Sequence, residues 1–403
     1  MTADLGIALR EPRPARGPLD EAGTERQDQA RLRVTVLRSA REIEAQSADW
    51  EDLAAHAVEP NPFYEPWMLL PALEAAGADP DKAPELVLVH AEGRTGRSRL
   101  VGLFPLERRP RYRGLPLGEL RLWRHELCYL CTPLLRSGFE REALEAFLGW
   151  LARDSGASLL RLHYVPGEGL FHRALLRHFE RHPQLMHFTE RYTRALFRPR
   201  RSAEGYLRAA VRGRRLKEFR RLARRLADQG RLEYRQLGRS EHAADWIGAF
   251  LALEARGWKG RAGTALASTN ANRAWFERIA LEAGRRGRLL IHGLYLNGRA
   301  LALSCKIRAG DGAYAFKIAY DEDYEQYSPG LLLELEQIVR MHGSPRIGWL
   351  DSCAVPEHFM ANRLWLDRRA LETVTVAAGG AGALLVMLLP LLRWARRRLA
   401  RAP

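Results

Sequence analysis

The order of elements along the chain most constrains what it can fold into. Apolar alternation over 31–37 reads as a strand, and helical spacing follows over 47–57, with Ser47 as expected cap, and over 61–77. Strands are expected at 85–93, 99–109 and 127–135, then a helix at 139–154, a strand at 158–165, a helix at 169–180 and a strand at 187–197. A long helix at 202–230 opens the second half. After it come a strand (231–237), two helices (241–258, 271–287) and three strands (289–298, 300–310, 313–321). A helix (331–343), strand (346–353), helix (356–365) and strand (371–378) complete it. Each half thus reads β-α-α-β-β-β-α-β-α-β, although the residues themselves barely repeat. The order predicts an α/β fold (α+β with a mixed sheet) built as two copies of one module, at 32–198 and 199–378.

The 403 residues suit that plan, at roughly 100–200 residues per domain. Residues 1–31, rich in Pro, Gly, Arg and acids, read as a disordered tail, and residues 379–403 as an apolar, then Arg-rich helix. Lys and Arg number 64 against 48 Asp and Glu, a net charge of +16 that favours phosphates, nucleic acid or acidic lipid. Four scattered cysteines and an N-terminus without a signal-peptide apolar core point to a reducing, cytoplasmic setting, peripheral to the inner membrane if the tail touches lipid. Residues 373–392 hold twenty residues without a charge, long enough to span a bilayer. Three glycines, Pro390 and the arginines that follow favour instead a closing strand, a Gly turn and a short surface helix. Cys128 and Cys131 lack a second ligand pair, so no metal site is expected.

Chemistry concentrates in residues 313–353. Ser328 suits a helix N-cap, Pro329 the first helical position, and Gly330 lets a ligand approach the first-turn amides, which attract phosphate. Asp351 closes the next strand. The plainer alternative is that Ser-Pro-Gly only caps a helix. Nine basic residues lie on the helix between Leu207 and Arg225, either as a solvated face or as a contact for the phosphates of a cofactor, acidic lipid or glycan, or a tRNA acceptor stem.

Ala319-Tyr320-Asp321 and Tyr327-Ser328-Pro329-Gly330-Leu331-Leu332 resemble the acyl-CoA loop of the GNAT superfamily, in the branch of CelD-like proteins of cellulose and exopolysaccharide synthesis. Agreement extends to Glu254 with Trp258-Lys259-Gly260, to Arg220-Arg221-Leu222, and to Leu350-Asp351-Ser352-Cys353 before Arg363-Leu364-Trp365. The doubled module resembles the tandem plan of FemAB-type aminoacyltransferases. The loop departs from the commoner Gln/Arg-x-x-Gly-x-Gly/Ala pattern, since Pro329 stands where a Gly is usual, and His358-Phe359 occupy a stretch where many GNAT enzymes carry a Tyr. The first half shows no phosphate turn, so a single acyl-CoA site is expected, in the second half.

The resemblance implies an acyltransferase that moves an acyl group directly from acetyl-CoA or another acyl-CoA to an amine or hydroxyl, with a sugar or cell-envelope precursor as acceptor and no metal. Its implied cofactor site is Ile318, Ala319, Tyr320, Ser328, Pro329, Gly330 and Leu331. Asp351 or Glu254 would take the proton, Tyr327 or Tyr324 would protonate the sulfur, and Trp258 and Lys259 would cover the acceptor. Two alternatives stand beside it: a FemAB-like aminoacyltransferase drawing on aminoacyl-tRNA, and a non-catalytic membrane-surface scaffold in polysaccharide assembly.

Overall fold

The computed structural model describes residues 31–76, 84–93, 98–238, 241–343 and 347–399; the predicted N-terminal tail lies almost wholly outside them. The first half comprises β1 (Arg31–Leu37), α1 (Ala40–Glu44), α2 (Ser47–Ala55), α3 (Pro66–Ala76), β2 (Glu85–Glu92), β3 (Ser98–Arg109), β4 (Glu119–Leu122), β5 (Leu134–Leu135), α4 (Glu140–Arg153), β6 (Leu159–Pro166), α5 (Gly169–Phe179) and β7 (Met186–Phe197). The second comprises α6 (Ala203–Ala210), α7 (Gly213–Ala227), β8 (Leu232–Gln236), α8 (Ala243–Arg256), α9 (Trp258–Arg261), α10 (Asn270–Arg285), β9 (Leu289–Leu296), β10 (Arg299–Ala309) and β11 (Gly312–Tyr320). It ends with α11 (Pro329–His342), β12 (Trp349–Asp351), α12 (Phe359–Leu364), β13 (Asp367–Ala377) and α13 (Gly380–Leu399).

The strands form one mixed sheet in the order β1-β2-β3-β4-β6-β13-β7-β12-β11-β10-β9-β8, with β5 paired to β3. The order is symmetric about the β13–β7 pair. Each side has one parallel pair, β4 with β6 and β11 with β12, among antiparallel neighbours. The two modules have therefore exchanged their last strands: β7 pairs with β12 of the second half, and β13 pairs with β6 of the first. The exchange follows from the long antiparallel register of β7 on β13, from Asp367–Leu196 to Val376–Met186. Across the junction an aromatic cluster knits the halves. Phe63 meets Tyr314 at 5.0 Å and Tyr129 at 5.7 Å, and Phe316 stacks on Phe276 at 6.1 Å.

Several local expectations change. The predicted cap Ser47 lies inside α2; Ser39 instead caps α1, in a capping box with Glu42. The long helix at 202–230 is two helices, because Val211 turns extended and buries against the core. The expected strand at 127–135 pairs only at Leu134–Leu135. Its carbonyls are satisfied by side chains instead: Asn61 Nδ2 donates to Leu130 O (3.1 Å) and Thr132 O (2.8 Å), and Arg194 to Tyr129 O (2.7 Å). Strand β4 was not anticipated. Among the described residues no helix is long and apolar enough to cross a membrane, and no cluster of ligating side chains could hold a metal.

Candidate active site

β11 and β12 run parallel for three pairs, Gly312–Trp349, Ala313–Leu350 and Tyr314–Asp351, and then separate. A cavity of about 180 Å³ opens past the last pair. Its walls are Ala315–Ile318 of β11, Ser304 of β10, Glu334 of α11, Ser352–Ala354 beyond β12, and His358, Met360, Ala361 and Trp365 around α12. Lys259 and, from the first half, Tyr129 complete it.

A buried ion-pair cluster sits where the strands separate. Asp351 is wholly buried and binds Arg194 of β7 through both oxygens (2.6 and 2.8 Å), Arg369 of β13 (2.7 Å) and the Cys353 N–H (2.9 Å). This clamp ties β12 to β7 and β13 at the last residue that still pairs with β11. Cys353 then takes a left-handed conformation, φ 53°, uncommon for a residue with a Cβ. Burial alone would push the Asp351 carboxyl up, but the two guanidinium charges and the bonds from Arg194 and Cys353 outweigh it and hold it below the usual carboxylate range.

Other groups on the cavity are also displaced. Burial and the Asp351 charge push the Cys353 thiol well up, so it stays protonated near neutral pH, and burial likewise keeps the Tyr129 phenol protonated. His358 is pulled down by burial and is neutral near pH 7. Its Nδ1 accepts the Ala361 N–H (3.3 Å), which leaves the ring hydrogen on Nε2 as a donor. Lys317 is pulled down by burial against the opposing charge of Glu254. Beneath the wall, the fully buried Lys306 donates to Ser304 Oγ (2.7 Å) and to Gln337, with Glu334 at 3.8 Å. Glu334 also accepts from Trp365 Nε1 (3.2 Å).

Of the residues expected from sequence, the structure brings Ile318 and Lys259 to the cavity. Lys259 Nζ donates to Ile318 O (3.1 Å) and to Glu254 (2.8 Å). Glu254 is buried and its other oxygen accepts the Leu266 N–H (2.8 Å), so it anchors Lys259 rather than facing a substrate. Asp351 does not line the cavity, and four contacts occupy its oxygens. Tyr327 turns away, its hydroxyl bonded to Gln229 and its ring under Arg225. Trp258 is 52% exposed and does not line the cavity. Ala319, Tyr320, Ser328, Pro329, Gly330 and Leu331 are outside the lining as well.

The Ser328 turn also differs from expectation. Ser328 sits at φ 52°, and its side chain caps nothing. Its carbonyl takes the N–H groups of Leu331 and Leu332 (3.0 Å each), which leaves Gly330 as the first-turn amide not tied to it. Gly330 is buried, and a Cβ there would meet Ile318 and Tyr320 at ordinary contact distances of 3.7–3.9 Å. The turn thus backs onto Ile318, which carries the cavity wall on its other side.

Sequence reasoning missed Glu334, Lys306, Lys317 and Tyr129. Glu334 was detectable as a carboxylate on the apolar face of α11, in register with Ile338 and Met341. Lys306 stands within the buried stretch of β10, between Cys305 and Ile307. Tyr129 carries no local signal, since only the tertiary fold brings it across.

Residues 213–357 match the family model of the acetyltransferase (GNAT) domain, a span that contains the parallel pair and most of the cavity. No curated protein matches the chain. A conserved protein of unknown function from Bacteroides thetaiotaomicron has a similar structure, with TM-score 0.50 and 12% identity over 82% of this chain and 97% of its own. FemX aligns with TM-score 0.51 and 10% identity over 85% of this chain and 98% of its own. A tandem GNAT protein from the clavulanic acid biosynthesis pathway aligns with TM-score 0.40 and 16% identity over 87% and 99%. Fold and domain match together define an enzyme of the acyltransferase class on a tandem GNAT-like, FemX-like fold.

Proposed function

We propose that the protein transfers an acyl group directly from an acyl-CoA thioester to an amine or hydroxyl, with a sugar or cell-envelope precursor as acceptor. The observation that carries this is the cavity between the diverging β11 and β12, most of it inside the span that matches the acetyltransferase domain. Ile318 O takes a bond from Lys259, and in an extended strand the N–H of the same residue points the same way. That N–H is the group that polarises a thioester carbonyl in this reading. As the acceptor attacks the carbonyl carbon, a C–N or C–O bond forms and the C–S bond breaks. Glu334 takes the acceptor's proton, and the protonated Tyr129 supplies one to the departing thiolate. Cys353 is not an acyl carrier in this scheme, because its raised thiol pKa leaves little thiolate.

Acyl-CoA is expected to raise the melting temperature by several degrees. Gly330→Asp should lose that rise, because it sets a negative charge beside the first-turn amides, with circular dichroism of the variant as the control for its fold. An unchanged rise in the variant would remove the turn from the site, and no rise in the parent protein would remove acyl-CoA as the donor.

A second donor is favoured by one observation. Arg212, Arg214, Arg215, Lys217, Arg220, Arg221, Arg224 and Arg225 are all exposed on or beside α7, and among these only Arg221 has an acidic partner on the same helix, Glu218. Such a face suits the phosphates of an aminoacyl-tRNA. Stabilisation by charged tRNA but not by acyl-CoA would select an aminoacyltransferase instead.

A further inference from the structure

Helix α13 has two apolar faces, and the body of the protein covers one. Leu385, Val386 and Leu389 pack inward on Tyr112 and Leu159. Leu384, Met387, Leu388, Leu391 and Leu392 point out, each between 41% and 64% exposed. Their spacing of three and four residues makes one continuous stripe. Pro390, Leu391 and Leu392 are all exposed, so the helix leaves the body there.

The chemistry around the stripe is basic. No acidic residue follows Glu372, whereas Arg393, Arg396, Arg397, Arg398 and Arg401 do. The turn that meets the inner face of α13 through Tyr112 exposes Arg111, Arg113 and Leu115. At 1.5 Å per residue a twenty-residue helix is about 30 Å long. It is nevertheless not apolar enough to cross a membrane.

We propose that α13 seats the protein on an anionic lipid surface, its outward leucines entering the boundary between headgroups and acyl chains while the arginines meet lipid phosphates. A second copy of the chain is the poorer occupant. A twofold pairing through this stripe sets two arginine-rich segments on one interface with no acid in either to offset them. The proposal is independent of the acyl-transfer chemistry, because vesicle binding is read without substrate.

The test is co-sedimentation of the full chain with vesicles of equal phosphatidylglycerol and phosphatidylcholine, against pure phosphatidylcholine. Binding is expected to the anionic vesicles, to be weakened by salt, and to fall by about tenfold or more in the Leu388→Glu, Leu392→Glu double variant. Both positions are exposed, so the variant should keep the parent's circular dichroism and melting temperature. Absence of binding, or equal binding to both vesicle types, overturns the proposal. A dimer in light scattering that the double variant converts to a monomer, without vesicle binding by the parent protein, assigns the stripe to a second copy instead.

Discussion

Asp351 illustrates how one buried side chain can tie together the strands beside a site. Its carboxylate holds two guanidinium groups, one buried and one half-buried, from strands that belong to different halves of the sequence. Removing the charge leaves Arg194, 1% exposed, without its partner. Breaking a buried pair from one side costs about 3–5 kcal/mol. Asp351→Asn should therefore lower stability by that order in denaturant unfolding, and loss of acyl-CoA binding should follow unfolding rather than precede it. Two buried histidines make a separate prediction. Burial lowers His125 to about 4 and His292 to about 3. In the unfolded chain both titrate near 6.5. Between those values the unfolded state binds more protons, so stability is complete above about pH 6.5 and is lost as the pH falls. The loss is about 2 kcal/mol for each histidine near pH 5. His292→Leu also removes a buried Nδ1 that has no partner among the described residues, and it should flatten the curve. A variant curve as steep as the parent's would show that His292 does not drive the loss.

Elements were legible where their periodicity served one packing face. The amphipathic α4 and α5, and the paired strands β2, β3, β9, β10 and β11, appear close to where their patterns put them. The pattern failed where burial came without pairing. Leu127, Cys128, Leu130 and Cys131 are as buried as strand residues, yet the polar side chains of Asn61 and Arg194 take the place of a ladder along this run. No local signal separates the two cases. The β11–β12 pair shows the opposite limit, a contact fixed by a residue that looks unremarkable in sequence. A Cβ on Gly312 would overlap the Trp349 indole, which is itself held by Asp311 (2.7 Å). Gly312→Ala should push the two strands apart at their paired end. The expected result is a loss of a few kcal/mol, as overpacking usually costs, together with weaker acyl-CoA stabilisation. A variant with unchanged melting temperature and ligand response would show that the indole moves aside freely.

At the scale of the whole molecule, the halves of the sequence and the halves of the sheet do not coincide. The repeated order of elements was visible in the sequence. The exchange of β7 and β13 was not, because strand order across a sheet is set by long-range pairing that leaves no trace in local pattern. The exchange has a consequence for dissection. A fragment of residues 199–378 keeps β13, whose partners β6 and β7 both lie outside it, and lacks β7, which β12 needs. It also lacks Arg194 for Asp351. A fragment of residues 186–366 keeps β7 on β12 and leaves out the strand that belongs to the other half. Exposed unpaired edges drive aggregation. The fragment 199–378 should therefore be insoluble or unfolded by circular dichroism, and 186–366 the better folded of the two, although Asp351 then lacks Arg369 and the wall contributed by Tyr129. Co-expression of 1–198 with 199–403 should rebuild the whole sheet and rescue solubility, since every strand is then present. Cooperative unfolding of 199–378 alone would mean that the second module closes on its own last strand, and that β7 and β13 can trade places.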